Sequence, residues 1–182
     1  MPEIDSTFLA VMVSLLLLVH GIFGLLKPDR LSSYLRNFSR NVTAGYIMML
    51  LGTVWFLVIL ENENLADFGM YKGKMQIFFA VLGLGAIYYL KEYLAVRGTA
   101  IVLMLMAKLV IETIRLEDTD WRILFIAFAY IWIISGIIFT VSPWRFRDLA
   151  NWKYANSERT KYVCTVSTVA GVVMLIAGLT AF

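Results

Sequence analysis

Cysteine, histidine and proline are scarce in this chain of 182 residues, which contains one cysteine, one histidine and three prolines. A single cysteine excludes a disulfide within the chain and any metal site built from several thiolates. A single histidine excludes a haem held by two histidines of one chain. The sequence also lacks a nucleophile elbow, a phosphate-binding loop, paired catalytic carboxylates and a metal-ligand cluster. We therefore expect a protein that is not an enzyme, with no catalytic residue and no metal site.

Charge is scarce as well, since charged residues make up 16% of the sequence while hydrophobic residues make up 60%. The mean hydropathy of +0.77 exceeds what the core of a soluble domain requires. The charges lie in clusters between long apolar runs, and a run of about 20 residues is enough to cross a bilayer as a helix. This pattern predicts an all-α integral membrane protein, with residues 1–182 forming a single membrane domain.

The apolar runs predict about six transmembrane helices arranged as three hairpins. Four runs contain no formally charged residue, and they cover residues 7–26, 42–60, 123–142 and 162–182. Two shorter runs, 75–90 and 99–114, reach a full span only if flanking charged side chains extend to the interface. Arg97 and Gly98 separate these two runs, which predicts a tight hairpin over residues 75–116.

The basic residues predict how these helices cross the membrane. With six crossings, eleven Lys and Arg residues fall on one side and four on the other. Because Lys and Arg accumulate in cytoplasmic loops, the richer side is predicted to be cytoplasmic. The chain is then expected in a bacterial-type inner membrane with both ends outside the cytoplasm. Topology also accounts for the basic pI of about 9.0, so no nucleic-acid partner is expected.

Two of the predicted cytoplasmic loops have the pattern of short interfacial helices. Apolar residues recur at helical spacing after Pro28, and Ser142 with Pro143 resembles a helix start. Basic and aromatic side chains on these segments are expected to anchor them to lipid headgroups. The predicted anchors are Arg30, Arg36, Trp144, Arg145, Arg147 and Trp152.

The same loops suggest a parallel internal repeat over residues 7–60 and 122–181, which would flank the 75–116 hairpin. Gly21, Pro28 and Arg30 recur 115 positions later as a glycine, a proline and an arginine. Chance similarity between apolar helices is the alternative. The two Pro-x-Arg hairpins resemble small bacterial inner-membrane proteins of unknown function over residues 21–52 and 136–178, and this resemblance implies no activity.

Lys108 and Glu112 are the strongest chemical anomaly, because both fall within a predicted span. Their spacing of four residues places them on one face of a helix. Each charge near a bilayer centre costs about 2.5 to 3.5 kcal/mol, so we predict an intramembrane polar pair that faces protein. The pair is either a structural ion pair, a proton or ion relay, or a contact with a partner subunit.

His20 is the only candidate cofactor-binding residue, since one imidazole can hold a haem or a pigment. The alternative is a hydrogen-bonded histidine that contributes to packing. The sequence requires no cofactor.

Two functional hypotheses follow. The first is a structural or accessory subunit of a larger membrane complex, which contacts lipid and other membrane subunits, or copies of itself, through faces of small residues. The second is a small ion or proton channel or carrier that uses Lys108 and Glu112.

Overall fold

The computed structural model describes residues 5–182, apart from the side chain of Asp67, and this part of the chain is helical without a strand. A short 3-10 segment, Ala66–Tyr71, accompanies eight described α-helices. These are α1 (Ser6–Leu26), α2 (Pro28–Phe38), α3 (Val42–Asn62), α4 (Lys72–Tyr89), α5 (Leu94–Ile114), α6 (Arg122–Val141), α7 (Trp144–Lys153) and α8 (Ser157–Thr180). The prediction of an all-α protein is therefore confirmed.

Five of the described helices are long and apolar enough to cross a membrane, namely α1, α3, α5, α6 and α8. These five helices support a multi-pass membrane protein. Helix α4 has 18 residues but begins with polar side chains, among them Lys72, Lys74 and Gln76. Its composition alone therefore does not mark it as a sixth span.

The turn between α4 and α5 differs from the sequence prediction. The prediction of a turn at Arg97 and Gly98 is wrong, because α5 begins at Leu94 and contains both residues. The chain instead turns before α5, where Tyr93 adopts the left-handed conformation with φ of 57°. Gly98 serves helix packing, since a Cβ atom there would lie 2.6 Å from the backbone nitrogen of Met49.

Helix α4 runs antiparallel to α3, and α5 runs parallel to α3. Along the first pair, the rings of Phe56 and Phe79 are 4.8 Å apart, and Gly83 lies beside Thr53. Along the second pair, Gly45 approaches the start of α5 and Gly52 approaches its middle. The segment between α3 and α5 therefore returns along the full height of the bundle.

The long helices of each predicted hairpin are not the pairs that pack most closely. The most extensive packing joins α1 with α8, α5 with both α3 and α6, and α4 with α3. An 11-residue helix such as α2 displaces the chain by about 16 Å, more than the 8 to 10 Å between packed helix axes. Helix α2 therefore separates α1 from α3, and α7 separates α6 from α8 in the same way.

The order of a long, a short and a long helix occurs twice, in α1 to α3 and in α6 to α8. The first residues of the corresponding helices are 115 or 116 positions apart. Their packing differs, because α1 lies directly on α8 while α5 lies between α3 and α6. The internal repeat itself stays a prediction.

The buried core lies mainly at one end of the bundle, which we call the termini end because α1 begins and α8 ends there. It joins α1, α5, α6 and α8 through residues that include Leu9, Val110, Ile114, Phe125 and Met174. At the opposite end, which we call the α2/α7 end, smaller clusters connect the short helices to the bundle.

Candidate functional site

Lys108 and Glu112 lie in one ion cluster at the termini end, together with a third residue. The Lys108 ammonium donates to the Glu112 carboxylate one turn away on α5. It also donates to Glu63 Oε1 at 2.6 Å, and Glu63 is the C-cap of α3. We call Lys108, Glu112 and Glu63 the ion cluster. It connects the last turns of two parallel helices.

The ion cluster lies near the end of α5. Lys108 is six residues from the last residue of α5, which corresponds to about 9 Å along the axis. The side chains of Lys108, Glu63 and Glu112 are 33%, 46% and 50% exposed. The Lys108 hydrogen bond, followed by its positive charge, holds the pKa of the Glu63 carboxyl below its usual value of 4.5.

Helix α4 joins the same region through its first turns. Lys72 Nζ donates to the backbone carbonyls of Glu61 and Glu63, and Gln76 donates to the Glu61 carboxylate. The ends of α3, α4 and α5 are thus held together by charged and polar contacts. Glu63 could not be predicted as a member of this cluster, because helical spacing relates residues within one helix and does not identify the neighbouring helix.

His20 lies in α1 between two hydrogen-bonding side chains. Its Nδ1 is 3.2 Å from Ser167 Oγ, and its Nε2 is 3.1 Å from the Tyr154 hydroxyl. The Ser167 hydroxyl donates its proton to the Leu17 carbonyl at 3.1 Å, so it accepts from His20. This assigns the proton to Nδ1 and makes Tyr154 the donor to Nε2.

Both ring nitrogens of His20 are therefore engaged, and ligation of a haem or pigment would break one of these bonds. Tyr154 follows α7 and is buried beside Leu31 and Cys164. Burial raises the pKa of Tyr154 to about 12, so its hydroxyl remains a donor at neutral pH. The sequence marks His20 as a candidate site residue but gives no sign that the fold places it between Ser167 and Tyr154.

The predicted anchors lie on helices α2 and α7, which the structure brings together. Arg36 Nε donates to Asn151 Oδ1 at 3.2 Å, and the rings of Phe38 and Phe146 are 5.7 Å apart. Arg147 is half-buried and donates to the Tyr93 hydroxyl at 3.2 Å, which ties α7 to the start of α5. The other predicted anchors are exposed, namely Arg30, Arg36, Trp144, Arg145 and Trp152.

A cavity of about 260 Å³ lies at the α2/α7 end, between α1 on one side and α5 and α6 on the other. His20, Ser135, Lys153 and Tyr154 supply its polar lining, and aromatic and aliphatic side chains supply the rest. This cavity could not be predicted from the sequence, because its walls come from five helices.

Among the side chains that the structure describes, no three His, Cys, Asp or Glu residues lie close enough together to hold a metal ion. Comparisons with protein-family models, with curated proteins and with solved structures find no match.

Proposed function

We propose that this chain crosses a bacterial-type inner membrane six times, with both of its ends outside the cytoplasm and α2 and α7 on the inner side. The parallel course of α3 and α5 supports six crossings, because α4 must return the chain across the bundle. The greater number of basic residues near α2, α7 and the α4–α5 turn supports the orientation.

Within that topology, the protein acts as a non-catalytic accessory subunit of a larger membrane complex. The observation that carries this function is the position of α4 at the edge of the bundle. Among the long helices, α4 packs extensively with α3 alone, and this packing is less extensive than that of α1 with α8 or of α5 with α3 and α6. Insertion into lipid is only weakly favourable for a helix that begins with two lysines. Packing against a second protein would therefore stabilise α4 in the membrane.

The uncovered face of α4 has the pattern of a helix-docking surface. Its residues recur at spacings of three and four positions, which places them in one stripe. The stripe consists of Ile77, Val81, Leu84, Gly85 and Tyr88. A Cβ atom on Gly85 would meet nothing within 4 Å, so the backbone is open to a close approach by a partner helix. We call this stripe the α4 face.

A photo-crosslinking amino acid at Val81 tests this function in intact membranes. Val169 on α8 provides the matched control, since both valines lie within long helices and are 64% and 58% exposed. We expect a discrete protein adduct from position 81 and lipid adducts alone from position 169. Mass spectrometry of the complex extracted in mild detergent would identify the crosslinked chain.

Equal crosslinking at the two positions, or lipid adducts alone at position 81, would contradict the accessory-subunit function. A crosslink to a second copy of this chain would make the assembly a homo-oligomer. These crosslinking outcomes test the accessory-subunit function alone. The six-span topology is tested separately, by labelling from the two sides of the membrane.

The alternative function is an ion or proton channel or carrier that uses Lys108 and Glu112. It has weaker support, because Glu63 and Glu112 already compensate the Lys108 charge at the end of α5. Glu112→Gln separates the two functions in proteoliposomes. An ion- or proton-dependent flux that disappears in this variant, with stability unchanged, would favour the carrier.

A further inference from the structure

The cavity at the α2/α7 end lies where two groups of helices diverge. At the termini end, α1 and α8 are joined to α5 and α6 by the buried core. Toward the other end, α1, α6 and α7 all contribute to the lining of the cavity, through residues that include His20, Trp132 and Lys153. Trp132 lies nine residues before the end of α6, or about 13 Å along its axis. The cavity therefore extends about as deep as the inner half of a bilayer core.

The inner part of the cavity is apolar. Leu103 and Trp132, each nine residues from the α2/α7 end of its helix, line it with aliphatic and aromatic surface, and Phe139 extends this surface toward α7. A volume of about 260 Å³ is below the 300 to 1,000 Å³ typical of a site that encloses a whole small molecule. The space fits one part of a larger amphiphile, such as a segment of an acyl chain.

A second depression of about 610 Å³ adjoins the cavity and shares Ser135, Phe139 and Leu149 with it. It lies between α6 and α7 on the outside of the bundle, where Trp144 and Trp152 are exposed. The shared residues place the two spaces side by side, so that together they extend from the surface of the bundle to His20. We call this space the α6–α7 groove.

Positive charge lines the α6–α7 groove along one face of α7. Arg145, Leu149 and Lys153 are spaced four residues apart, so they fall on the same side of the helix. Arg145 lines the outer depression and Lys153 the inner cavity, about 12 Å apart along the axis. In the described part of the chain, ion pairs involve Lys108 and Arg147 alone, and Asp148 at the groove is paired with Arg147. Arg145 and Lys153 thus have no carboxylate partner there.

We propose that the α6–α7 groove is a binding site for an anionic phospholipid of the inner leaflet, with its phosphate on the basic face of α7 and an acyl chain against Leu103, Trp132 and Phe139. A phospholipid can contact both the basic and the apolar part of the groove, whereas a free phosphate would leave the apolar part empty. The tryptophans beside the opening suit the headgroup level of a membrane. This site is independent of the α4 face and of any partner subunit, and its assignment to the inner leaflet rests on the proposed topology.

Native mass spectrometry of the whole protein tests the site. Purified protein is delipidated and then incubated with equal amounts of phosphatidylglycerol and phosphatidylcholine. We expect a retained adduct of phosphatidylglycerol in preference to phosphatidylcholine. Lys153→Gln should weaken that adduct by about fivefold, and the double change with Arg145→Gln by about twentyfold. Lys153→Arg keeps the charge and should retain the lipid.

Lys161→Gln is the matched control, since Lys161 is exposed in the first turns of α8 and does not line the groove. Equal loss in Lys161→Gln and Lys153→Gln would overturn the proposal in favour of general surface attraction. Displacement of the lipid by millimolar inorganic phosphate would overturn it in favour of a simple anion site. Failure of the wild-type protein to retain either lipid would also overturn it. Gel filtration shows that each variant remains folded before binding is compared.

Discussion

Lys108 connects two carboxylates that are 45 and 4 positions away in the sequence, so its contribution to stability depends on both. Lys108→Met would leave Glu63 and Glu112 close together without a cation. Because all three side chains are at least a third exposed, we expect the free energy of unfolding to fall by about 1 kcal/mol. Thermal unfolding in detergent measures this change.

The control for this prediction is the same substitution in a background that carries Glu63→Gln and Glu112→Gln. There Lys108→Met should have little further effect, because the carboxylates that Lys108 compensates are already gone. An undiminished effect in that background would show that Lys108 stabilises the protein by another route.

The Glu63 carboxylate also predicts a pH dependence. Its pKa in the folded protein lies below the usual 4.5, so its bond to Lys108 contributes fully above pH 4.5 and is lost as pH falls through the lower, folded-state pKa. The difference in stability between the wild type and Glu63→Gln should therefore shrink below about pH 4.5. A constant difference from neutral to acidic pH would contradict the assigned bond.

Tyr154 is the donor that completes the hydrogen bonds of His20, and its hydroxyl is predicted to stabilise the α2/α7 end. Tyr154→Phe leaves His20 Nε2 without a partner and should lower the free energy of unfolding by about 1 to 2 kcal/mol. Tyr162→Phe is the control, because Tyr162 is 73% exposed on α8. Equal effects of the two substitutions on thermal stability would exclude a special role for the Tyr154 hydroxyl.

Among the elements, α3 and α5 depend on the close approach at Gly98. Gly98→Ala would force the backbone near Met49 to shift and should destabilise the purified protein by about 1 to 3 kcal/mol. Gly85→Ala is the matched control, since the space around Gly85 is open and alanine favours the helix by about 0.5 to 1 kcal/mol. Detergent-unfolding curves that show the same loss for both variants would contradict the packing of α3 on α5.

Most helices could be predicted from the sequence, because uninterrupted apolar runs correspond to α1, α3, α6 and α8. The short helices α2 and α7 were also predicted, since their apolar residues recur at helical spacing between charged ones. The start of α5 was not, because Arg97 and Gly98 resemble a turn when their neighbours are unknown. Gly98 is instead a contact residue inside the helix.

For the whole molecule, the neighbours of each helix could not be predicted from the sequence. A helix that is apolar on every side does not mark which face meets protein and which meets lipid. The contact between Lys108 and Glu112 follows from the sequence alone, because one helical turn determines their spacing. The contacts of Lys108 with Glu63 and of His20 with Tyr154 depend on the packing of distant segments.

The position of α4 determines the topology of the whole molecule and is the premise of the proposed function. If α4 crosses the membrane, the chain crosses six times and both ends lie on the same side. If α4 instead lay on the membrane surface, α3 and α5 would have to run antiparallel, and five crossings would place the ends on opposite sides. The sidedness of the two ends therefore distinguishes the two arrangements.

Labelling of single introduced cysteines with a membrane-impermeant reagent measures this sidedness, in a background whose native cysteine is replaced by serine. Cysteines at Asp5 and Phe182 should react in intact cells, whereas cysteines at Asn37, Lys91 and Asn151 should react only after the membrane is opened. That result would support six crossings with both ends outside the cytoplasm. Reaction of Asp5 and Phe182 from opposite sides would contradict the account.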